Sequence, residues 1–122
     1  MITQITDVPN NMVAFRATGE VTEDDFDAVI LSVKDLVNRT GKLNYLLVID
    51  TELSHFTAGA WLQDALLGIK NLTKWNRASI VTDSDTIIGF TEVFSKVMPG
   101  EFRGFHKEDY KQAIGWTSEQ TL

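Results

Sequence analysis

The segment Leu43-Asn44-Tyr45-Leu46-Leu47-Val48-Ile49-Asp50 constrains the fold more than any other part of this chain. Five of its eight residues are aliphatic, and its single charge comes last. A strand with one wet face alternates apolar and polar side chains, so a run without alternation predicts a strand covered on both faces. Such strands lie at the centre of parallel sheets, with helices packed above and below. The segment is read as the central strand of an α/β domain.

The flanking sequence supplies the other elements. Residues 1–7 and about 12–19 read as two strands joined by Val8-Pro9-Asn10-Asn11, where proline fixes one dihedral and asparagine tolerates left-handed geometry. In the second of them Val13, Phe15 and Ala17 share one face, and Met12, Ala14, Arg16 and Thr18 the other. Thr22-Glu23-Asp24-Asp25 opens a helix, with threonine as cap, Asp25 at the capping-box position and carboxylates at the positive end of the dipole. Phe26, Val29, Ile30, Val33, Leu36 and Val37 form its apolar stripe, and Arg39-Thr40-Gly41 its stop.

A second helix is expected from about Ala58 to Leu72, with Trp61, Leu62, Ala65, Leu66, Ile69 and Leu72 as its stripe. Arg77 to Thr82 reads as a strand, and Asp83-Ser84-Asp85-Thr86 as the turn into a third helix running to Met98. Its stripe is Ile87, Phe90, Val93, Phe94, Val97 and Met98, and Pro99-Gly100 stops it. Glu101 to His106 alternates with period two as a last strand, and Lys107 to Trp116 is a short closing helix. The expectation is therefore one α/β domain over residues 1–122: a mixed five-stranded sheet, mostly parallel, with an antiparallel N-terminal hairpin and four flanking helices.

Charge and composition exclude several functions. With 17 acidic against 11 basic residues, a net charge of -6 and no two basic residues adjacent, the chain lacks the concentrated positive charge that nucleic acid or anionic headgroups require. The absence of cysteine removes disulfides, zinc-thiolate sites and thiol catalysis. The N-terminus has no basic stretch followed by an apolar run, so neither a signal peptide nor a membrane span is predicted there, and a cytoplasmic location is expected.

In sheets of this kind ligands gather beyond the carboxyl ends of the parallel strands, here the loops after Asp50, Asp83 and His106. Asp50 reads first as a cap for the turn that follows. Together with His55 and His106 it would make a nitrogen and oxygen metal set for a hydrolase, although the spacing fits no local metal motif and two surface histidines are ordinary usage. Gly100-Glu101-Phe102-Arg103-Gly104 precedes a strand instead of joining strand to helix, so it is no phosphate loop, and no serine stands in a Gly-x-Ser-x-Gly frame. No catalytic residue and no cofactor are assigned.

The stronger signal is apolar excess. Leu31, Leu67 and Ile88 fall on helix faces that their neighbours mark as solvent-side, and Phe56, Trp61 and Trp75 bracket the second helix. Adjacent in space, Leu67 and Ile88 would make a patch for a partner subunit, a lipid surface or an apolar ligand.

Leu46-Leu47-Val48-Ile49-Asp50, Phe56-Thr57, Trp61-x-x-Asp64, Arg77 to Asp83, Pro99-Gly100-Glu101-x-Arg103-x-Phe105 and Ala113-Ile114-Gly115-Trp116 together resemble the SpoIIAA-like family, in order and over nearly the whole chain. The resemblance implies a fold related to STAS domains and to the CRAL-TRIO lipid-transfer domain. STAS domains of the anti-sigma-factor-antagonist type carry a phosphorylatable serine in an Asp-Ser-Ser-Gly-like motif just after the central strand. Here that place reads Phe56-Thr57-Ala58-Gly59-Ala60, which leaves Thr57 as the sole candidate for a regulatory switch and helix capping as its simpler role.

The resemblance implies a small non-enzymatic binding module. Its expected sites are Trp61, Leu66, Leu67, Ile87, Ile88, Phe90 and Phe94 on the second and third helices, which would enclose an apolar ligand or meet a membrane peripherally. Core packing is the competing role of each. The alternative is a regulatory domain that binds a protein partner through Phe56 to Trp61, and a homodimer is compatible with the stray surface aliphatics.

Overall fold

The computed structural model describes residues 1–19, 23–50, 75–96 and 100–119, with every side chain among them except those of Glu23, Phe26, Phe90 and Phe94. The elements run β1 (Ile2–Ile5), β2 (Val13–Thr18), α1 (Glu23–Thr40), β3 (Leu43–Asp50), β4 (Trp75–Val81), α2 (Asp85–Ser95), β5 (Glu101–Phe105), a 3-10 turn at Lys107–Asp109 and α3 (Tyr110–Thr117). Three of the expected helices are thus present. The one expected at 58–72 lies outside the described residues, as does the expected cap Thr22.

The strands form one sheet in the order β1-β2-β3-β4-β5. β1 pairs antiparallel with β2, and every later pair is parallel. β3 occupies the centre, and every residue of it is buried except Asp50. One face of the sheet carries Phe15, Tyr45, Leu47 and Ile80 beneath Val29, Val33 and Leu36 of α1 and Ile87 of α2. The other carries Ala14, Leu46, Val48 and Val81 beneath Ala113 of α3, with Tyr110, Ile114 and Trp116 packed at its margin. Each aliphatic side chain so buried stabilises the fold by roughly 1.5–3 kcal/mol before the entropy of ordering is subtracted.

α1 follows its sequence closely. Val29, Val33 and Leu36 are buried, Ile30 and Val37 half-buried, and Leu31 is 70% exposed. Asp35 and Arg39 pair at 3.1 Å one turn apart. The helix stops where Gly41, at φ 77°, donates its N–H to the Val37 carbonyl at 2.8 Å. Asp25, at the expected capping-box position, reaches outside the helix to accept the Ile2 N–H at 3.2 Å.

α2 departs from expectation. Val93, placed on the apolar stripe by its spacing, is 59% exposed, whereas Thr91 is fully buried. The helix turns Ile88, Thr91 and Ser95 toward β5, and three local features permit it. Thr91 satisfies its hydroxyl on the Ile87 carbonyl at 2.8 Å, Ser95 Oγ accepts the Phe102 N–H at 3.0 Å, and Gly104 leaves room for Ile88. Ile88, expected on the solvent side, is consequently half-buried.

At the amino ends of the parallel strands three asparagines link distant parts of the chain. Asn76 Nδ2 donates to Asn44 Oδ1 at 2.8 Å, Asn44 Nδ2 to the Asn11 carbonyl at 3.0 Å, and Asn11 Nδ2 to the Ser118 carbonyl at 2.7 Å.

Candidate functional site

Each of the four strands β2 to β5 contributes one aromatic side chain to the sheet face under α1 and α2. Phe15 and Tyr45 have ring centroids 5.7 Å apart, Tyr45 and Trp75 5.8 Å, and Trp75 and Phe102 5.1 Å. The Tyr45 and Trp75 rings meet edge to face, with an interplanar angle of 78°. The row crosses the sheet from β2 to β5.

Trp75 joins this row through an irregularity. Leu43 pairs with Trp75 but Asn44 pairs with Arg77, so Asn76 is an extra residue in β4. Strict alternation would place Trp75 opposite Ala78 and Ile80, and the bulge returns it to their face. Gly100 lies against the same point: at φ 90°, a Cβ there would sit 2.8 Å from the Trp75 carbonyl oxygen. Trp75, expected beside the helix at 58–72, is therefore a buried strand residue, 6% exposed.

Among the described residues, two polar atoms in this apolar row have no hydrogen-bond partner, the Tyr45 hydroxyl and the Trp75 indole Nε1. Tyr45 is fully buried, and burial pushes its ionisation above the ordinary tyrosine range, so the hydroxyl stays neutral. Native interiors pair nearly all such groups, and each unpaired one costs about 1–3 kcal/mol. The rings pack in one hydrophobic cluster with Val29, Val33, Leu36 and Ile87. Its unspent polar capacity is a donor from each ring, with the phenol oxygen also able to accept.

The carboxyl ends of the strands hold charge instead. The Asp50 carboxylate meets Arg16 Nη1 through one oxygen at 3.1 Å and Lys107 Nζ through the other. The Lys107 N–H donates to Asp83 Oδ1 at 3.3 Å, and His106 Nε2 lies 3.6 Å from Asp85 Oδ1. This rim ties β2, β3, β4 and the end of β5 together. Of the proposed metal set, Asp50 faces two cations and His106 faces another carboxylate. His55 lies outside the described residues, among which no three metal-ligating side chains converge.

The remaining expected sites divide in the same way. Ile87 is a core residue, 1% exposed, and Ile88 packs against β5. The side chains of Phe90 and Phe94 are outside the description, as are residues Thr57, Trp61, Leu66 and Leu67 and hence any contact of Leu67 with Ile88. A groove of about 440 Å³ between the β1/β2 turn and α1, lined by Ile5, Val8, Pro9, Leu31, Asp35 and Arg39, was signalled in the sequence by Leu31 alone. No helix among the described residues is long and apolar enough to cross a membrane.

A mixed five-stranded sheet in consecutive order, with an antiparallel first hairpin and helices on both faces, defines a STAS-type α/β domain. The model of the family described as SpoIIAA-like matches residues 12–118, and the chain belongs to that family. A crystal structure of an uncharacterized DUF3478-family protein with a SpoIIAA-like fold, from Shewanella loihica PV-4, is similar with a TM-score of 0.61. It is 22% identical, over 95% of this chain and 93% of that one, a likeness of fold. No curated protein matches the chain.

Proposed function

We propose that this protein is a non-enzymatic binding module that takes an apolar, lipid-like ligand on the sheet face beneath α1 and α2. The observation that carries the reading is the pair of unpartnered polar atoms, Tyr45 Oη and Trp75 Nε1, set in an otherwise apolar aromatic row. A core built for stability alone would place phenylalanine at both positions, because an unmatched buried donor opposes folding. A bound molecule with an apolar body and a polar group satisfies both the row and the donors.

Native mass spectrometry of gently purified protein, followed by titration with C12 to C18 lipids, tests this. A retained mass or saturable binding is expected. Protein that carries no adduct and binds none of these chains is not such a module.

A second reading, peripheral contact with a lipid surface, is favoured by Val93, which stands 59% exposed on α2. Its contact would be apolar, since the net charge of -6 opposes anionic headgroups. Flotation with neutral phosphatidylcholine vesicles is expected to carry the protein upward and Val93→Asp to leave it behind.

A further inference from the structure

Resting on the ligand-binding reading above, we infer that the polar group of the ligand is an uncharged hydrogen-bond acceptor, an ester, ketone or amide carbonyl held by Tyr45 Oη and Trp75 Nε1. Three observations select this class. The indole N–H can only donate, so the group that meets it must accept. The neighbouring phenol is a second donor whose ring lies 5.8 Å away, centroid to centroid, and a carbonyl oxygen has two lone pairs with which to receive both. No arginine, lysine or histidine is buried among the described residues, so a carboxylate or phosphate at these rings would find no buried counter-charge among them.

A plain hydrocarbon would fill the row yet leave both donors unmatched. Because Tyr45 is sealed from solvent, the helices over this face must yield for the ligand to enter, and association is slow relative to a preformed pocket.

The test compares three ligands with the same C12 chain: methyl laurate, dodecane and laurate at pH 8. Binding is followed by native mass spectrometry and by the indole N–H resonances of 15N-tryptophan-labelled protein. The ester is expected to bind at least about tenfold more tightly than either of the others, the worth of one well-made buried hydrogen bond. It alone shifts the Trp75 indole resonance downfield, the signal being assigned by its loss in Trp75→Phe. In Tyr45→Phe and in Trp75→Phe the advantage of ester over alkane shrinks.

Equal binding of dodecane and ester, preference for laurate, or an ester advantage that survives both substitutions would each overturn the inference and leave the binding module standing. Failure of all three ligands to bind overturns the module itself. The resonance readout uses the unaltered chain, so the result does not depend on the variants folding.

Discussion

The Arg77 guanidinium stands 4.9 Å from the centroid of the Trp116 ring while its Nη1 donates to the carbonyl of that same residue at 2.7 Å. Beside them, buried Ser79 shares a hydrogen bond with Thr117, whose own hydroxyl donates to the Ala113 carbonyl at 2.6 Å. β4 thus holds the last helix by a stacked cation, a carbonyl and a hydroxyl pair. Arg77→Ala is expected to lower stability by about 1–2 kcal/mol in urea unfolding. Arg77→Lys should recover only part of that, because an ammonium lacks the planar fork that serves ring and carbonyl together. Full recovery by lysine would refute the stacking account.

Gly104 and Ile88 fix how close α2 lies to β5. A Cβ at residue 104 would sit 2.8 Å from Ile88 Cγ2 and 2.9 Å from Ile88 Cα. Gly104→Ala is expected to cost about 1–3 kcal/mol as an overpacked contact. Adding Ile88→Ala removes the first clash but leaves the backbone one, so the double variant should remain less stable than Ile88→Ala alone.

Tyr45 makes stability depend on alkaline pH. Its ionisation is displaced above the unfolded value of 10.0, so the native state keeps the proton after the unfolded chain has lost it. The contribution is complete below pH 10 and declines as pH rises further, by up to about 1.4 kcal/mol per pH unit. Tyr45→Phe should flatten that decline and, at neutral pH without ligand, raise stability by about 1 kcal/mol through loss of an unpaired hydroxyl. Equilibrium unfolding at pH 8 and pH 11 checks both signs.

The ion triad at the strand ends is a smaller effect. Arg16, Asp50 and Lys107 are partly exposed, so Lys107→Met is expected to cost no more than about 1 kcal/mol and the loss should fade at high salt. Asp50→Asn leaves two cations facing each other and should cost at least as much. Thermal melts at low and high sodium chloride separate the two.

Val93 offers a test that the sequence and the structure answer differently. A stripe residue replaced by lysine would cost several kcal/mol, whereas an exposed one costs within about 0.5 kcal/mol. Val93→Lys is expected to be near neutral, and Thr91→Lys severely destabilising.

The sheet was legible because its strongest signal, the unalternating run at β3, depends on burial from two sides and on nothing remote. α1 was legible because its stripe and its glycine stop are local. What eluded the sequence was set by contacts between elements. The rotation of α2 depends on a glycine in β5, sixteen residues beyond Ile88 in the chain. The placement of Trp75 depends on one extra residue in β4, which shifts every later parity. Ile87, on the predicted apolar stripe, is buried, but Tyr45, the most informative side chain of the row, is in the sequence only one more residue of an apolar strand. A buried tyrosine and a buried phenylalanine look alike in periodicity, and only coordinates reveal an oxygen left without company.

The asparagine relay has a consequence for how the molecule comes apart. Asn11 is bonded to a carbonyl 107 positions away, and through Asn44 and Asn76 the same thread reaches the middle of the sheet. Fraying at one terminus is therefore felt at the other: a chain shortened to Thr117 should show faster amide exchange in the first hairpin, as though the two ends were stitches in a single seam.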